Sequence, residues 1–206
     1  MPIHESMKVV YIHIPKTGGT SIEEALGMKT TDGQFWGQRH DVDASKQHYS
    51  HTEMLNVRSD ILDWFTFVSI RNPWDRVLSG WAHHPKWKNE VGSFDNFVSL
   101  MKENVFELGN LYWLDGYVTP QTHFIPKIRD FHVLRFESLQ KDFAEMCKNY
   151  SEFSGIDNQL PILEGRQVAT GVGKNYRDYY SSNQKILIEK LFEEEIELFK
   201  YKFGEK

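Results

Sequence analysis

An α/β architecture, a single domain over residues 1–206 with a central parallel sheet flanked by helices, follows from three observations on this chain. Three short, nearly continuous apolar runs alternate with stretches of helical periodicity. The first two runs end in polar turns that carry glycine or proline, and no Gly/Ser/Pro-rich linker divides the chain. Continuous apolar strands are those buried on both faces, the condition of a parallel sheet covered by helices through right-handed crossovers. Ligands of such sheets gather at the carboxyl ends of the strands.

The first run, Lys8-Val-Val-Tyr-Ile-His-Ile14, is rich in β-branched and aromatic residues. It leads through Pro-Lys-Thr-Gly-Gly-Thr-Ser21 into Ile22, Ala25 and Leu26 at helical spacing, with Gly27 as the stop. Glycines let the backbone N–H groups of such a turn approach an anion, and a helix N-terminus adds unsatisfied donors and partial positive charge. Lys16 adds a full charge. The Walker pattern differs, because its lysine follows the second glycine, whereas Lys16 precedes both Gly18 and Gly19.

Next comes His48-Tyr-Ser-His51-Thr-Glu, two histidines ahead of the second strand. That strand, Phe65-Thr-Phe-Val-Ser-Ile70, runs into Arg71-Asn-Pro-Trp-Asp-Arg-Val-Leu-Ser-Gly-Trp81. Asn72 suits an N-cap, Pro73 the first helical position and Asp75 the third. Arg71 then stands at the strand's carboxyl end, and Ser79 lies about two turns into the helix on the stripe of Asn72 and Arg76. An arginine fork and a hydroxyl suit a phosphate. Taken alone, Arg76 pairs as readily with Asp75 or Glu53.

Phe94, Phe97, Val98 and Met101 mark a middle helix, Phe131-His-Val-Leu-Arg-Phe136 a third buried strand, and Leu139, Phe143, Met146, Cys147 and Tyr150 the helix after it. Ser181 to Phe203 reads as one helix with Ile188, Leu191, Phe192, Ile196 and Phe199 inward and Glu193 to Glu195 solvated. Before it lies the polar stretch Thr170-Gly-Val-Gly-Lys-Asn-Tyr-Arg-Asp-Tyr-Tyr180.

Together "IHIPKTGGTS" (12–21) and "VSIRNPWDRVLSGW" (68–81) resemble the sulfotransferases that use 3′-phosphoadenosine 5′-phosphosulfate (PAPS), in particular the heparan and chondroitin branch and its bacterial relatives. The likeness continues more loosely through "HVLRFESLQKDF" (132–143) and "NYRDYYS" (175–181). The resemblance implies a P-loop-like sulfotransferase fold with PAPS as co-substrate and 3′,5′-adenosine bisphosphate (PAP) as product. Lys16, Thr17, Gly18, Gly19, Thr20 and Ser21 would hold the cofactor's 5′ end, Arg71 and Ser79 its 3′-phosphate, and Lys174 of the late polar stretch would add a basic contact. His51, followed by Thr52, would be the base that takes the acceptor hydroxyl's proton, with His48 as its rival. Lys16 and the loop amides would stabilise the departing phosphate in an in-line transfer.

The acceptor the family suggests is a carbohydrate or glycoconjugate hydroxyl, with Trp36, Trp81 and Trp87 as candidate sugar-stacking faces. No metal is expected, since the histidine spacings and the lone Cys147 match no recognised ligand pattern. A net charge of −5 argues against nucleic acid as a partner. The chain shows no apolar stretch long enough to span a bilayer and one cysteine only, so the expected location is the cytoplasm. Two other classes compete: a nucleotide-dependent small-molecule kinase, which wants a Walker lysine, and a non-catalytic nucleotide-binding protein on the same fold, which needs no base.

Overall fold

A computed structural model of the chain describes residues 3–28, 35–36, 47–83, 90–127, 130–161 and 175–205. In chain order its strands and α-helices are β1 (Ile3–His4), β2 (Val9–Ile12), α1 (Gly19–Ala25), β3 (Phe35–Trp36), α2 (His51–Val57), β4 (Phe65–Ile70), α3 (Pro73–His83), α4 (Phe94–Met101), β5 (His132–Arg135), α5 (Leu139–Asn149), α6 (Ser182–Leu191) and α7 (Glu193–Phe199). The chain divides into two compact units, one of Met1–Ile70 with His123–Ile162, the other of Arg71–Thr122 with Leu163–Lys206.

The first unit holds a five-stranded sheet in the order β3-β1-β2-β4-β5. The three apolar runs form its parallel part, with Val9 opposite Phe65 and Phe67 opposite His132. The sheet is mixed rather than wholly parallel, because β1 runs antiparallel to β2 and β3 antiparallel to β1. A connection as short as Glu5 to Lys8 can only make a hairpin, and a two-residue strand carries no periodicity by which to be seen in advance. Val9, Tyr11, Phe67 and Leu134 of the sheet bury against Ile22 and Leu26 on one element and Phe143 and Met146 on another. At about 1.5–3 kcal/mol for each large apolar side chain, this contact seats α1 and α5 on the strands.

In the second unit Trp74, Val77 and Leu78 of α3 pack with Phe94, Phe97, Val98 and Met101 of α4 and with Ile188 and Phe192. The C-terminal segment is two helices where one was expected. Phe192 leaves helical angles at φ −111° and ψ 23°. The backbone bonds nevertheless continue across it, from Phe192 N–H to Ile188 O at 2.9 Å and from Ile196 N–H to Phe192 O at 3.0 Å, so the joint is a kink. Beyond it Glu195, expected in solvent, is 1 % exposed.

Candidate functional site

The loop between β2 and α1 turns on the sign of its backbone angles. Lys16 has φ 70° and Gly18 φ 85°, whereas Thr17 and Gly19 keep negative values. Alternating handedness of this kind turns successive N–H groups into one concavity, the arrangement that cradles anions. For a lysine the left-handed conformation costs about 1–2 kcal/mol, and such strain is retained where a site needs it. Both glycines are demanded by the loop's own packing as well: a Cβ on Gly18 would stand 2.7 Å from Leu139 Cδ2, and one on Gly19 would collide with the His13 ring. Thr20 and Ser21 are half-buried, and Ser21 spends its N–H on Gly18 O at 3.1 Å.

Thr17 is fully buried, and its hydroxyl faces the sheet. Thr17 Oγ1 donates to Ile14 O at 2.8 Å and meets Ser69 Oγ at 2.7 Å, and Ser69 Oγ meets Tyr11 O–H at 2.6 Å. A carbonyl only accepts, so the protons run one way, from Tyr11 to Ser69 to Thr17 to Ile14. Burial first of all raises the Tyr11 phenol far above its usual range and keeps this donor protonated. The Thr17 hydroxyl is therefore committed to Ile14 O within the loop and to Ser69 of β4, and through Ser69 to Tyr11 of β2.

A second network lies under the same loop. His13 Nδ1–H donates to Glu23 Oε1 at 2.5 Å, and Gln47 Nε2 donates to both Glu23 oxygens at 3.0 and 2.9 Å. His48 Nδ1–H donates to His13 O at 3.0 Å, which leaves Nε2 as the acceptor of its neutral ring. Burial, then the His13 charge, lowers the His48 pKa to about 3. His51 opens α2 behind a capping box of Ser50 and Glu53; its N–H donates to Phe124 O at 2.9 Å, and it is 1 % exposed.

In the second unit Asn72 caps α3 as its sequence position implies, its Oδ1 accepting from Trp74 N–H at 3.2 Å while its Nδ2 donates to Lys202 O at 3.0 Å. Arg71 donates through Nε (2.9 Å) and Nη2 (2.8 Å) to Asp75 Oδ2. Arg76 bonds neither of its anticipated partners, Asp75 or Glu53; it is fully buried and donates to Tyr117 O at 3.2 Å and to Thr119 O. Burial above all lowers its pKa, and the Glu195 carboxylate opposes that. Ser79 is 5 % exposed on the same helix.

Sequence reasoning missed Gln121, Glu195, Glu23 and Gln47. Each is polar and buried through a partner distant in the chain, so neither periodicity nor a local motif marks it. Lys174 and Trp87 lie outside the described residues. Trp81 is half-buried, with its indole N–H on Gly92 O at 3.1 Å and its ring 5.5 Å from that of Phe94. Among the described residues no group of three His, Cys, Asp or Glu side chains is placed to hold a metal ion, and no helix is long and apolar enough to cross a membrane.

The chain matches the sulfotransferase family over residues 2–202 and belongs to it. A mixed α/β fold with a central sheet and flanking helices, and transferase activity toward the sulfuryl group in the broad sense, go with that membership. Comparison with curated proteins and with solved structures gave no match.

Proposed function

We propose that this protein moves the sulfuryl group of PAPS to a hydroxyl of an acceptor, a carbohydrate or glycoconjugate. The observation that carries the reading is the loop of alternating φ at Lys16 to Gly19, set between β2 and α1 in a member of the sulfotransferase family. A concavity of backbone N–H groups with a lysine at its rim fits the 5′-phosphosulfate end of the cofactor. Lys16, Gly18 and Gly19, with the N–H of Thr17 and the hydroxyls of Thr20 and Ser21, hold that end, and Arg71 and Ser79 serve the 3′-phosphate. Lys174 stays a candidate for a further basic contact.

His51 takes the acceptor's proton as the acceptor oxygen bonds to sulfur. The bond from sulfur to the 5′-phosphate oxygen breaks, and Lys16 with the loop amides neutralises the charge that collects on the departing PAP. What weighs against His48 as the base is its own pKa: lowered to about 3 by burial and then by the His13 charge, it is a weak proton acceptor at neutral pH.

Calorimetric titration with PAP and with ATP tests the reading, with PAP expected to bind and ATP to bind far more weakly. ATP bound tightly, with indifference to a 3′-phosphate, overturns it in favour of a kinase. Within the reading, Arg71→Ala weakens PAP binding more than turnover at saturating cofactor. His51→Ala turning over at the wild-type rate removes His51 from the role of base.

A further inference from the structure

We propose that Gln121 is a positioning residue for the 3′-phosphate site, holding Arg71 by its backbone so that the guanidinium starts from a fixed point. The inference rests on the assignment of Arg71 to that phosphate and adds residues that never touch it. Gln121 Oε1 accepts from Arg71 N–H at 2.9 Å, and Gln121 Nε2 donates to Arg71 O at 2.9 Å. One amide thus takes both main-chain groups of one residue, the pairing that a neighbouring strand would otherwise provide.

Arg71 follows directly on β4 and precedes the cap of α3, so its main chain stands at the junction of strand and helix. A carboxylate in place of Gln121 would lack the donor, and an apolar side chain would lack both groups.

The support behind the amide is itself buried and polar. Glu195, 1 % exposed, accepts from the Gln121 backbone N–H and from Gln121 Nε2 at 3.0 Å. Arg76, fully buried, lends Glu195 a compensating charge and is held on the carbonyls of Tyr117 and Thr119. Burying a carboxylate and a guanidinium is expensive, and apolar residues of similar volume commonly do as well or better for stability. Here the pair presents Gln121 to Arg71, while Asp75 steadies the guanidinium from its other side at 2.8–2.9 Å. A donor fixed in advance binds its anion without first paying the entropy of ordering.

The test compares two ligands that differ only by the 3′-phosphate, PAP and adenosine 5′-monophosphate (AMP), by calorimetry on wild-type and Gln121→Met protein. The expected result is a loss of about tenfold to a hundredfold in PAP affinity, the size of one hydrogen bond to a charged group, with AMP affinity unchanged. Should circular dichroism show Gln121→Met unfolded, Gln121→Asn, which draws the same amide back by one methylene, is expected to give the same selective loss in smaller measure. A folded variant that keeps the wild-type ratio of PAP to AMP affinity, or that loses both ligands equally, overturns the inference. Wild-type protein that does not distinguish PAP from AMP overturns instead the assignment of Arg71 to the 3′-phosphate.

Discussion

His13 and Glu23 meet at 2.5 Å with their side chains only 7 % and 5 % exposed, joining the residue after β2 to the second turn of α1. The bond joins the two flanks of the candidate phosphate loop, and the His13 ring lies where a side chain on Gly19 would have to go. Burial alone would raise the Glu23 pKa; the charge and hydrogen bond of His13, followed by the Gln47 donor, reverse this and leave it lowered.

Removing one partner from a buried pair leaves the other uncompensated, at a cost of about 3–5 kcal/mol. Glu23→Ala is therefore expected to lose about that much stability in urea unfolding. A loss below about 1 kcal/mol would show that the pair does not brace the loop.

The two buried glutamates respond to pH in opposite directions. Glu23 has a lowered pKa, so its contribution is present above the ordinary glutamate value of 4.5 and is lost as the pH falls through the folded value. Burial raises the Glu195 pKa, against the opposing charge of Arg76, so its contribution is greatest below 4.5 and is lost as the pH rises through the folded value. Melting temperatures followed across the acid range should show the gap between wild type and Glu23→Gln widening with rising pH. The gap between wild type and Glu195→Gln should move the other way.

Thr17 separates a structural hydroxyl from a ligand-binding one. Thr17→Val keeps the volume and strands the Ser69 proton, which should cost about 1–3 kcal/mol on thermal unfolding. Thr17→Ser keeps the hydroxyl chain and should retain both stability and turnover. Loss of turnover in a stable Thr17→Ser protein would show that the packing of the methyl group, and not the hydroxyl chain alone, sets the loop.

Lys16 sets stability against activity. Glycine accepts φ 70° without strain and alanine does not, so Lys16→Gly should be the more stable of the two variants by about 1 kcal/mol. Both should lose roughly 10²–10³ in turnover, the usual effect of deleting a donor to a charge that grows in the transition state. Turnover near wild type in either variant removes Lys16 from that role.

The three parallel strands and the starts of α1 and α3 were legible because each is written locally, in apolar runs and in Asn72-Pro73. The antiparallel edge was not, since β1 and β3 have two residues each. At the candidate site the sequence pointed to the loop, to Arg71 and to the histidines. The buried polar partners that fix their geometry escaped it, because Gln121 meets Glu195 across 74 positions and Gln47 meets Glu23 across 24. Charged residues in a helix read as solvated until a partner from elsewhere in the chain is placed against them, as happened with Glu195.

The most direct measurement is transfer from PAPS carrying a labelled sulfuryl group, offered with a panel of sugars and glycans and, in parallel, with ATP labelled in its terminal phosphate. The account predicts labelled sulfate on an acceptor oxygen with one PAP released per transfer, and no labelled phosphate on any acceptor. Labelled phosphate on those acceptors, with the PAPS label untouched, would contradict it.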